Sequence, residues 1–157
     1  MAKLWCISAP MLSHTDWGGF RKTAQLLRDR GHEVTWVSGE RLRGVMDASG
    51  LALQVIDETG FLWPLPPPPD FTGMPPQEAM NLRYTRALDT WLTEDRVSAA
   101  TAAILALADE IGPPDMILTD PFLSASALAA EKLGVKMVTM GWPAQGSFET
   151  QALFPIQ

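Results

Sequence analysis

RGHEVTWVSGERLRGVMDASGLALQVI, residues 30–56, reads as strand, helix and strand in immediate succession. Glu33 to Ser38 is rich in β-branched and aromatic residues, which suit a pleated, packed surface. Gly39 leads into a helical stretch from Glu40 to Ser49, ended by Gly50, and Leu53 to Ile56 forms the next strand. Two strands separated by one helix are joined as a right-handed crossover unit of a parallel sheet.

The same alternation continues outward on both sides. Leu4 to Ser8 is a short apolar run closed by Ala9-Pro10, as expected of a strand buried on both faces. Phe20 to Arg30 sets Phe20, Ala24 and Leu27 on one helical face, and Gly31 stands where a left-handed cap is wanted. Gln77 to Ile111 is helical in propensity, with a break near Leu92 to Asp95. There Thr93, Glu94 and Asp95 offer cap and dipole chemistry to a second helix. Gly112-Pro113-Pro114 ends that helix. MILT (116–119) gives a fourth strand, SASALAAEKLG (124–134) a helix with its glycine stop, and VKMVTM (135–140) a fifth strand.

The predicted fold is an α/β, doubly wound, Rossmann-like parallel sheet of order 3-2-1-4-5 with helices on both faces, a single domain over residues 1–157. Ligands of such sheets bind beyond the carboxyl ends of the strands. Those ends are residues 9–19, 39–40, 57–75, 120–123 and 141–148.

Composition removes several classes of function. With 157 residues and 46% apolar content the chain can bury one core. A net charge of -6 and a pI near 4.8 argue against nucleic acid or an anionic lipid surface as partner, since both are bound through clustered Lys and Arg. The densest basic cluster, Arg21, Lys22, Arg28 and Arg30, has the spacing of a helix's solvated face. The lone Cys6 forms no internal disulfide and no cysteine metal cluster, which points to a reducing, cytoplasmic compartment and to no metal. The run LWCISAPML is too short to span a membrane and is interrupted by Pro10, so it reads as a strand rather than a signal peptide.

The loop after the first strand contains SHTDWGG, residues 13–19. It lacks the GxGxxG and P-loop patterns whose backbone cradles phosphate, so no nucleotide cofactor is expected there. It does hold a histidine at the functional end of the sheet, and histidine suits general-base work near neutrality. Asp16 is either a second candidate acid or the N-cap of the following helix. Asp120 follows the fourth strand at once, where a carboxylate either orients an imidazole from the first loop or caps the next helix. Between Thr59 and Pro76 the periodicity dissolves. Seven of the 13 prolines fall between Pro64 and Pro76, interleaved with Phe61, Trp63 and Phe71, which reads as a loop packed over a site rather than a linker. Trp17, Trp63, Phe71, Phe122, Trp142 and Phe148 then form a candidate aromatic rim for a flat or apolar ligand.

Two stretches carry a family resemblance. Residues 30–56 resemble the Arg-Gly-His-x-Val-Thr, strand, helix, Ala-Gly, strand pattern that opens GT-B glycosyltransferases, the family of UDP-glucuronosyltransferases, plant glucosyltransferases and macrolide glycosyltransferases. PPDMILTDPFLSASALAAEKLGVKMVTMGWPA, residues 113–144, is similar to that family's Pro-Asp, strand, Asp, Ala-rich helix, Leu-Gly, strand pattern. The resemblance implies an N-terminal acceptor-binding domain, one half of a GT-B fold, with a nucleotide-sugar donor held mainly by a C-terminal domain or partner chain that residues 1–157 do not include. It implies an inverting, metal-independent transfer to a hydroxyl of a small apolar acceptor, with a base in the first loop oriented by Asp120. The family's usual Gly-His-x-x-Pro is absent, and counting back from Gly31-His32 places the base at Asp16, whereas a loop longer by two residues places it at His14. Both stay open at this point, beside the alternative of a non-catalytic α/β ligand-binding or interaction module.

Overall fold

Every residue of the first strand except Lys3 is buried, and this strand is the centre of the molecule. In the computed structural model, which describes residues 1–141, β1 (Lys3–Ile7) lies between β2 (Glu33–Ser38) and β4 (Met116–Thr119). Outside them pair β3 (Ala52–Val55) and β5 (Lys136–Thr139), giving a five-stranded sheet of order β3-β2-β1-β4-β5, parallel throughout. This is the predicted order.

Alternation along β1 divides the core in two, because successive side chains of a strand point to opposite faces. Leu4 and Cys6 join Trp36, with Phe20 and Ala24 of α2 (Phe20–Asp29) and Met46 of α3 (Arg43–Ser49). Trp5 and Ile7 join the other layer, made by Ile104 and Leu107 of α5 (Glu94–Ile111) and Ala125 and Ala129 of α6 (Ser124–Leu133). Helices therefore cover both faces. Burial pushes the Cys6 thiol up to about 12, which keeps it protonated and inert in the core. Helices α2, α3 and α6 stop where Gly31, Gly50 and Gly134 take positive φ.

Three local expectations are corrected. Residues 9–19 are not all loop: Leu12–Asp16 form a short helix, α1, followed by a 3-10 turn at Trp17–Gly19. Five residues are too few to display a helical period, so the pattern is invisible in sequence. Glu40–Leu42, read as helix, is a 3-10 turn leading into α3. Thr93 stands at the start of α5 without capping it, because its hydroxyl donates back to the Asp89 carbonyl at 2.8 Å. Glu94 and Asp95 do occupy that helix's first turn.

The proline-rich segment is packed down. α4 (Pro76–Asp89) follows it, and the Leu62 N–H donates to the Thr90 carbonyl just past that helix at 2.7 Å. Arg86 donates to the carbonyls of Pro66 and Pro67. Glu58 pairs with Arg96 at 2.7 Å, and Phe61 enters the core beside α5 and α6. The segment is a structured cover over one end of the sheet.

Candidate functional site

α1 delivers His14 to the carboxyl end of β1, and its polarity there needs partners. Met11 opens the helix, and Leu12 and Ser13 face outward while His14 and Thr15 turn into the protein. His14 is 3% exposed. Its Nδ1 lies 3.1 Å from Oδ2 of Asp120, which β4 projects from its end at 1% exposure. The same Oδ2 accepts the Ala9 N–H at 2.7 Å, and Oδ1 accepts the Phe122 N–H at 2.8 Å. A carboxylate accepts and does not donate, so Nδ1 carries the hydrogen and Nε2 is the nitrogen left with a lone pair. Among the described residues no side chain or backbone group hydrogen-bonds Nε2.

Aromatic rings surround the imidazole. Trp17 stacks on it at 4.0 Å between centroids, Phe61 meets it edge-on at 5.1 Å, and Phe122 lies at 5.8 Å. Phe122 in turn touches Trp17 at 5.2 Å and Trp91 at 5.4 Å. These rings line a cavity of about 350 Å³, with Leu65 of the proline-rich segment and the Arg83, Arg86, Ala87 and Thr90 stripe along and just past α4. Trp17, Trp91 and Phe122 are only half-buried, so apolar surface remains available inside a concave site.

Of the residues singled out from sequence, His14, Trp17 and Phe122 line this cavity, and Asp120 stands behind His14. Asp16 does not: its side chain is 61% exposed and pairs with Arg21 at 2.8 Å. Nor does it cap α2, because Gly19 holds the cap position and takes no side-chain bond. Asp120 likewise does not cap α6, whose first position follows Leu123. Trp63 and Phe71 stand apart from the cavity, each under a guanidinium, Arg41 at 5.0 Å and Arg83 at 4.6 Å. Trp142 and Phe148 lie outside the described residues.

Sequence reading missed Trp91 and the α4 wall. Arg83, Arg86, Ala87 and Thr90 recur at helical spacing i, i+3, i+4, i+7, which was a usable signal.

Comparison with known proteins bears on the fold. No protein-family model matches the sequence, and no curated protein matches it. Solved structures do match. The calicheamicin glycosyltransferase CalG4 superposes with a TM-score of 0.64 at 16% identity, over 98% of this chain and 36% of that one. The spinosyn rhamnosyltransferase SpnG gives 0.62 at 20% identity, over 96% and 38%. The glycosyltransferase SnogD from Streptomyces nogalater gives 0.61 at 24% identity, over 90% and 35%. The chain shares its GT-B-like fold with these glycosyltransferases. It spans a little over a third of the length of each. The sheet order that the sequence implied is thus the order of a known architecture. No helix among the described residues is long and apolar enough to cross a membrane.

Proposed function

We propose that this chain is the acceptor-binding half of an inverting glycosyltransferase, with His14 as the general base and Asp120 as the residue that orients it. The observation that carries the reading is the buried His14–Asp120 contact of 3.1 Å beside an aromatic cavity. Asp120 holds the hydrogen on Nδ1, so Nε2 accepts the proton of an acceptor hydroxyl. The acceptor oxygen then bonds to the anomeric carbon of a nucleotide sugar from the opposite side to the leaving group. The electron pair of the broken C–O bond departs with the nucleoside diphosphate. As the imidazolium forms, the Asp120 carboxylate beside it stabilises the charge.

Burial and contacts support His14 over Asp16 as the base, since Asp16 is exposed and committed to Arg21. Trp17, Phe61, Trp91 and Phe122 supply the apolar surface that an acceptor would cover. The donor sugar and its diphosphate belong to a C-terminal domain or partner chain in this reading, consistent with the absence of a phosphate cradle in SHTDWGG. The unpaired Cys6 supports a reducing, cytoplasmic setting.

The test joins the chain to the donor half of a related glycosyltransferase and supplies a nucleotide sugar with polycyclic alcohols. His14→Ala and Asp120→Asn lower turnover at least about a hundredfold, the span of general-base catalysis, while Asp16→Ala changes it by less than about threefold, in keeping with a surface ion pair. Undiminished turnover in all three variants removes the proposal.

A further inference from the structure

We infer that the acceptor taken by this cavity carries an anionic group, a carboxylate or its equivalent, on an aromatic or polycyclic body. The inference rests on the acceptor reading above and narrows it. Rings account for half of the cavity's described lining residues, yet two others are guanidiniums, Arg83 and Arg86, and none of the described lining residues is acidic. That is a local excess of positive charge in a chain whose net charge is -6.

The two arginines are three positions apart on α4 and so share one face of it. Among the described residues neither forms an ion pair. Arg86 donates to the carbonyls of Pro66 and Pro67, which fixes the side chain but leaves its charge uncompensated, because those oxygens belong to neutral amides. Arg83 lies 4.6 Å over the Phe71 ring. A guanidinium held on an aromatic face keeps its N–H edge for a planar acceptor, and a carboxylate matches that edge with two parallel hydrogen bonds. A neutral alcohol would satisfy the rings and leave both cations unpaired. An acid pairs them at the α4 wall, in the same cavity that His14 lines.

The same charge is carried by the diphosphate of a sugar donor, so the experiment separates the two sources. The whole 157-residue chain is titrated calorimetrically with 9-anthracenecarboxylate, with 9-anthracenemethanol and with thymidine diphosphate. The carboxylate is expected to bind about tenfold more tightly than the alcohol, as a charge-assisted pair at a partly exposed site provides. That preference falls as salt is raised. Arg83→Gln abolishes the preference, and a thermal unfolding midpoint equal to the parent's shows that the variant is folded. Arg86→Lys, which keeps the charge and loses the fork, retains part of the preference.

Equal binding of acid and alcohol, binding of neither, or a preference that survives Arg83→Gln overturns the inference. Thymidine diphosphate that displaces the carboxylate, with an affinity lost in Arg83→Gln, assigns the arginines to donor phosphate and overturns it too. None of these readouts involves sugar transfer. Failure of the His14 mechanism shows only in turnover, so the two results are read separately.

Discussion

Replacing Asp120 by asparagine keeps the side chain's volume and changes what one atom can accept. The carboxylate takes the Ala9 N–H and His14 Nδ1 on Oδ2 and the Phe122 N–H on Oδ1. An asparagine has one oxygen for these two positions. With its oxygen toward Ala9, the amide NH2 faces the Phe122 N–H, donor against donor. With its oxygen toward Phe122, the NH2 faces Ala9 and His14, and His14 must move its hydrogen to Nε2. Either rotamer strands a backbone N–H where the side chain is 1% exposed. An unsatisfied buried donor costs about 1–3 kcal/mol. At about 2–4 °C per kcal/mol for a chain of this size, the midpoint of thermal unfolding falls by roughly 2–12 °C. Urea titration followed by tryptophan fluorescence gives the free energy, with an unchanged slope expected. A variant within about 0.5 kcal/mol of the parent, inside the range of ordinary surface substitutions, refutes the assignment of those three bonds to Asp120.

Two further predictions read the site's scaffold and the core. Gly18 and Gly19 have similar positive φ, 55° and 72°, but a Cβ on Gly18 would lie 2.0 Å from the Gly141 carbonyl oxygen, and one on Gly19 meets nothing within 4 Å. Gly19→Ala therefore costs about 1 kcal/mol of backbone strain. Gly18→Ala costs a further 1–3 kcal/mol, roughly, from overpacking, and equal unfolding midpoints for the two variants would contradict this packing. Cys6, raised from 9.0 to about 12 by burial, stays a thiol in the fold while the unfolded chain ionises. Stability is thus unaffected below about pH 9 and falls above it by up to about 1.4 kcal/mol per pH unit. A Cys6→Ala chain, compared by denaturation between pH 8 and 10, should lose that extra slope, and identical slopes would count against the buried thiol.

The sheet was legible because its strands are short runs bounded by glycine or proline, and α2, α3, α5 and α6 each end at a glycine. Order was read from the doubly wound pattern as a whole, since the crossover rule fixes only the handedness of each connection. His14 and Asp120 were legible for a related reason, since Asp120 directly follows the fourth strand and His14 lies in the segment that joins the first strand to its helix. Which of His14 and Asp16 turns inward was not, because α1 is a single short helix whose inward face is chosen by packing against Trp17, Phe61 and Phe122. The proline-rich segment misled in detail. Its composition announced a packed cover, but of its aromatics Phe61 enters the cavity wall whereas Trp63 and Phe71 are taken up by Arg41 and Arg83. Such pairings join residues far apart in sequence, and no local pattern encodes them.

The central claim, that His14 removes the acceptor's proton, is tested most directly by varying the acidity of the acceptor in the enzyme assembled with a donor half. The measurement is kcat/KM for the parent and for His14→Ala across hydroxyl acceptors of one size, from aliphatic alcohols to phenols that ionise near neutral pH. A general base matters most where the hydroxyl is least acidic, so the loss in His14→Ala should reach about 100-fold or more for alcohols and shrink below about tenfold for the acidic phenols. A loss of equal size across the whole series would contradict the claim.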